Sequence, residues 1–143
     1  SDPYAHELLG WVSFEARAYG AAVQAYARAV ELAPSEPLIA AGYGRALLAT
    51  GSADAAARAA LEAARARDPY NPSLLRDLAQ AQARLGDNGG ASLSTAERYA
   101  IAGRLKDAAI HARRAGDLLP RGSARWQRAQ DIVAAAETQE RRQ

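Results

Sequence analysis

Residues 3–36 read PYAHELLGWVSFEARAYGAAVQAYARAVELAPSE, and this stretch decides the fold. Leu8, Leu9 and Val12, then Tyr19, Ala22, Val23, Tyr26, Ala29 and Val30, recur at steps of three and four. That spacing puts them on one face of a helix and argues against a strand, whose faces alternate every second residue. Pro34 ends the pattern because proline cannot continue a helix. The same punctuation recurs along the chain. Pro34 and Pro69 are 35 residues apart, as are Gly51 and Gly86; Gly103 follows Gly86 by 17, and Pro120 follows Pro69 by 51. Seventeen residues suit one helix of about 14 residues and a short turn, and two such segments make a helical hairpin.

The breaks carry their own chemistry. Asn71-Pro72 pairs a capping side chain with a proline at the first helical position, and Ser35-Glu36-Pro37 and Ser123 can start helices similarly. Gly51, Gly86 and Gly103 stand where a helix must end and the chain reverse. The sequence therefore predicts helices over 4–17, 20–33, 37–50, 53–67, 72–85, 90–102, 105–118 and 123–139. The expected fold class is all-α: an αα-hairpin solenoid of about eight helices with a C-terminal capping helix, in one domain over 1–143.

Composition agrees. Alanine, the best helix former, accounts for 38 of 143 residues, whereas Phe, Trp and Tyr total only 9. The chain has no cysteine, which excludes disulfides, thiolate metal sites and cysteine nucleophiles. It has no methionine either, so it reads as a piece of a longer polypeptide. No apolar run approaches the ~20 residues that span a bilayer, and no signal peptide opens the chain, so membrane insertion is not expected. Arginine outnumbers lysine 17 to 1. Residues 1–69 carry a net charge of −2 and residues 70–143 of +4, with the excess at Arg104, Lys106, Arg113, Arg114, Arg121, Arg125 and Arg128. Acidic residues interrupt this patch and few aromatics accompany it, which favours a solvated helical face over a nucleic-acid site.

The repeat resembles the tetratricopeptide family, a 34-residue helix–turn–helix unit. Leu9-Gly10, Tyr19, Ala22, Tyr26, Ala29 and Pro34 match it in one register over 3–36. In this reading Gly10 and Ala22 are small where two helices press together, and Tyr26 fills the gap to the next hairpin. The match is looser over 37–70 (Gly44, Leu47, Gly51, Ala56, Ala63, Pro69) and over 71–103 (Leu75, Leu78, Ala79, Gly86, Ala91). In the segment that ends in 104–120, Ala96, Tyr99, Gly103, Ala108, Ala115 and Pro120 fit half a period early. Either the array skips phase there or one helix serves two roles. Helix 123–139 then caps the array, with Trp126, Ile132 and Val133 facing inward.

A narrower resemblance is strongest over about 90–135: Thr95-Ala96-Glu97-Arg98, then Gly103, Ala108, Ala112, Pro120, Gly122-Ser123, Trp126-Gln127-Arg128-Ala129 and Asp131-Ile132. It is similar to the C-terminal repeat region of BepA-like bacterial zinc metalloproteases, of the Ste/HtpX type. The resemblance implies a periplasmic setting, zinc held in a separate protease domain, and a repeat region that recruits clients or outer-membrane assembly machinery. A free-standing repeat adaptor, cytoplasmic or not and unrelated to proteolysis, is the alternative.

No catalytic role is expected of this chain. His6-Glu7-Leu8-Leu9-Gly10 begins like a zinc-protease helix, but glycine occupies the second histidine's place, and His111 does not complete the set. No Gly-x-Ser-x-Gly elbow is present. Gly42-Tyr43-Gly44 lacks the strand, third glycine and lysine of a phosphate loop and reads as close helix packing; Asp87-Asn88-Gly89-Gly90 reads as a flexible turn. No metal or cofactor is expected here. The remaining candidate is a surface. If first helices line a concave face, that face shows Tyr4, Glu7, Trp11, Arg45, Arg76, Gln80 and Arg84. An aromatic beside arginines suits an extended peptide; the competing reading packs Trp11 on an upstream domain or a neighbouring hairpin. Glu7 and Trp11 also stand where related adaptors carry lysine and asparagine, which argues against a carboxylate clamp. The expected partner is therefore protein, without nucleic acid.

Overall fold

A computed structural model describes residues 2–143. These residues form eight helices and no strand. The helices are α1 (Pro3–Glu15), α2 (Tyr19–Leu32), α3 (Pro37–Thr50), α4 (Asp54–Arg67), α5 (Pro72–Arg84), α6 (Asn88–Ile101), α7 (Leu105–Leu118) and α8 (Ala124–Arg141). The chain divides into two compact units, Ser1–Pro69 and Tyr70–Gln143, each of four helices. Within each unit consecutive helices pack on one another, as in a helical-hairpin solenoid. Among the described residues no helix is long and apolar enough to cross a membrane.

Helix ends follow the local signals. Asn71 Oδ1 accepts from the Leu74 amide at 3.1 Å, and Ser123 Oγ accepts from the Trp126 amide at 3.2 Å. Glu36, rather than Ser35, occupies the cap position of α3 and makes no side-chain cap bond. Gly51, Gly86 and Gly103 take φ of 77°, 80° and 77°, the left-handed conformation that reverses the chain at little cost for glycine. Arg17, in the corresponding turn between α1 and α2, takes φ 61° without that freedom.

In the first unit α2 lies against both α1 and α3, and α1 also touches α3. Tyr26 is the wedge. A Cβ added to Gly10 would come within 2.7 Å of the Tyr26 ring, and one added to Gly42 within 2.5 Å of it. The ring thus fills the junction between hairpins, as the repeat pattern predicts. Gly10, however, is small to admit Tyr26, while Ala22 is buried in the same cluster beside Ala46. Gly44 gives way to Leu61 of α4, so both glycines of the Gly42-Tyr43-Gly44 run serve close packing.

In the second unit the helix that skips over its neighbour is α6, which touches α8 as α1 touches α3. Here α6 takes the place of a first helix, which accounts for repeat residues appearing half a period early. Leu93, Ala96, Ala112, Ala115, Leu119 and Ala129 form the core, with Trp126, Ile132 and Val133 of α8 packed against it. Asp87-Asn88-Gly89-Gly90 is a packed helix start and not a flexible turn. Asp87 Oδ1 accepts from the Gly90 amide at 3.0 Å, and the Asp87 carboxylate pairs with Arg125 at 2.7 Å. Gly89 and Gly90 are buried, and a side chain would strike Leu119 at the first and Asp87 and Arg125 at the second.

Candidate protein-recognition surfaces

The first hairpin pair lets α1 and α3 be compared position by position, since Pro3 and Pro37 both open their helices. Tyr4 corresponds to Leu38 and Trp11 to Arg45, each pair one i, i+7 step apart on its helix. All four are exposed. Helix α1 touches α3, and across that contact Arg45 of α3 reaches Phe14 of α1. Arg45 is steadied at its base: its guanidinium lies 5.0 Å from the Phe14 ring centroid, and Phe14 in turn tilts against Tyr19 at 5.4 Å. A cation held over an aromatic face keeps its charge and a fixed orientation.

Charge around this face is set by a few groups. Burial, followed by repulsion from Glu36, pushes the Glu7 carboxyl above the usual glutamate value. Burial also raises the Tyr26 phenol, with Glu7 and Glu15 adding to the rise and Arg45 opposing it. The face therefore places one arginine among carboxylates and aromatic rings.

In the second unit Arg76, Gln80 and Arg84 stand at i, i+4 and i+8 on α5, all exposed. Arg76 Nε lies 3.8 Å from Asp77 Oδ1. The sequence-predicted residues thus form two sets, one per unit, each ordered on a helix face.

Sequence reasoning missed a cleft of about 660 Å³ between α7 and α8, lined by Arg113, Asp117, Arg121, Trp126, Gln130 and Val133. Gly116 makes room for it, since a Cβ there would sit 2.7 Å from Gln130 Nε2. Gly116, in the last turn of α7, was the available signal. Much of the basic patch is neutralised nearby. Arg104 pairs with Asp107 at 2.8 Å, Arg125 with Asp87 at 2.7 Å and Arg128 with Glu97 at 3.3 Å. Tyr99 lies under the guanidinium groups of Arg98 and Arg104 and stacks on His111 at 5.3 Å. Burial and Arg114 lower the His111 pKa, with Asp107 opposing.

Among the described residues no three histidine or carboxylate side chains gather where they could hold a metal ion. His6 is half-buried on α1, and Gly10 lies beneath Tyr26. No family model matches the chain, and no curated protein matches it.

Proposed function

We propose that the chain is a protein-recognition domain of the tetratricopeptide type that binds extended peptide segments. The observation that carries this reading is the pairing of Tyr4 with Leu38 and of Trp11 with Arg45, exposed on both helices at matching positions. Large apolar side chains left in water next to a fixed guanidinium form a recognition surface rather than a stabilising one. Trp11 and Tyr4 offer area and Arg45 offers donors to backbone carbonyls or carboxylates. On α5, Arg76, Gln80 and Arg84 offer a second set of donors. The ion pairs that neutralise Arg104, Arg125 and Arg128 favour a protein partner over nucleic acid.

The resemblance to the repeat region of zinc metalloproteases, strongest over about 90–135, extends the proposal. The chain is then the client- or partner-recruiting region of a periplasmic zinc metalloprotease, without chemistry of its own; a free-standing adaptor is the alternative. The gene's sequence upstream of residue 1 decides between these two, because only the first requires a His-Glu-x-x-His helix there. The recognition reading is tested by fluorescence titration with unstructured peptides. Trp11→Ala should weaken binding more than Arg58→Ala, whose parent side chain makes a 3.9 Å pair with Glu62. Equal loss in both variants would refute the proposed face.

A further inference from the structure

The α7–α8 cleft is lined by one carboxylate and one guanidinium that the fold leaves unpaired. Helices α7 and α2 share a register: Leu105 and Tyr19 open them, and Pro120 and Pro34 follow them at the same distance. In α2, Arg28 pairs with Glu31 at 2.9 Å. Their counterparts in α7 are Arg114 and Asp117, which form no such pair; Asp117 lines the cleft instead. Arg113, one turn before Asp117, lies 4.0 Å from Glu137 of α8. Arg121, one turn after it in sequence, lies beyond the end of α7 at Leu118, where Pro120 has taken the chain off the helical path. The i, i+4 pairing that would join it to Asp117 is therefore lost. Among the described residues the side chains of Asp117 and Arg121 make no ion pair or hydrogen bond, yet both residues line the same cleft.

Trp126, Val133 and Leu119 supply apolar surface beside these charges. The Trp126 indole nitrogen lies 4.0 Å from where a Cβ on Gly116 would stand, and its N–H donates to no group among the described residues. Space is made by Gly116, which stands where α2 has Val30, and by Gln130, which stands where α3 has Tyr43. We infer that this cleft binds a free α-amino acid with a large apolar side chain. Its carboxylate accepts from Arg121 and the Trp126 indole N–H, its ammonium group donates to Asp117, and its side chain lies on Trp126 and Val133. Only a zwitterion satisfies both charged groups: a simple anion would meet Asp117, and a simple cation Arg121, at like charge. A volume of about 660 Å³ falls in the range of small-molecule sites and leaves room for a side chain as large as that of phenylalanine. The site uses none of the residues of the proposed peptide face.

The test titrates the full chain with phenylalanine, N-acetylphenylalanine and phenylalaninamide and follows the two tryptophan indole N–H signals by NMR. Trp11→Phe assigns them. Phenylalanine should move the Trp126 signal and leave that of Trp11 in place. Asp117 and Arg121 are exposed, so affinity should be about millimolar. Removing either charge of the ligand should weaken binding roughly two- to fivefold, the scale of one exposed ion pair. Asp117→Asn should abolish the preference for phenylalanine over its N-acetyl form, and Arg121→Gln the preference over its amide. Neither side chain has a partner among the described residues, so both variants should keep the fold, which circular dichroism checks. The inference is overturned if the Trp126 signal does not move, if the three compounds bind equally, or if either preference survives in its variant. It is also overturned if N-acetylphenylalanine, which mimics the last residue of a peptide, binds as tightly as phenylalanine.

Discussion

The Tyr26 ring occupies the space a side chain on Gly42 would need: a Cβ there would come within 2.5 Å of Tyr26 Cε1. Glycine in a helix interior is ordinarily worse than alanine by about 0.5–1 kcal/mol. Gly42→Ala should therefore invert the usual sign, destabilising the protein by roughly 1–3 kcal/mol as an overpacked contact. Gly20 is the control, because a Cβ there would meet nothing within 4 Å. Gly20 lies in the first turn of α2, so Gly20→Ala should stabilise by no more than about 0.5 kcal/mol. Urea denaturation midpoints of the two variants check both signs.

Arg17 holds φ 61° in the turn between α1 and α2, where the other turns of this type use glycine. A side chain in that conformation costs roughly 1–2 kcal/mol, part of which glycine returns through its freer unfolded chain. Arg17→Gly should raise stability by about 0.5–1 kcal/mol in thermal or urea unfolding. A loss of stability would mean that the Arg17 side chain contributes more than its backbone costs.

These residues also mark how far the sequence was legible. Proline's fixed φ at Pro34 and the freedom of Gly51, Gly86 and Gly103 to take positive φ follow from residue identity, so helix number and the turn positions could be read directly. Tyr26 could be read as a junction residue because it falls in step with Ala22 and Ala29. The start of α6 could not. Asp87 caps the helix locally through the Gly90 amide, but Asn88-Gly89-Gly90 has the composition of a loop, and the partners that pack it, Arg125 and Leu119, lie far along the chain. The α7–α8 cleft was hidden for the same reason: Gly116 and Gln130 meet only once two helices pack. Likewise, that Leu8 is exposed while its counterpart position Gly42 is covered is a property of neighbours, invisible along one helix.

Glu7 supplies a pH dependence. Its carboxyl is raised above 4.5 in the folded state, first by burial and then by Glu36. The folded protein thus holds that proton more tightly than the unfolded chain, so charging Glu7 lowers stability as pH rises through and above 4.5. Glu7→Gln should raise the melting temperature at pH 7, and the gain should disappear as pH falls below 4.5. The group is largely solvated, so the effect stays within the ~0.5 kcal/mol of an ordinary surface change. A gain of equal size at about pH 4 and pH 7 would contradict the assignment.

The central claim is that the face of α1 and α3 bearing Tyr4, Trp11, Leu38 and Arg45 receives extended peptide. Backbone amide NMR shifts during titration with an unstructured peptide measure this most directly. The largest shifts in the first unit should cluster on α1 and α3 around these four residues, and Trp11→Ala should abolish that cluster. Shifts centred on Arg113, Arg121 and Trp126 of the α7–α8 cleft, with α1 and α3 unperturbed, would contradict it.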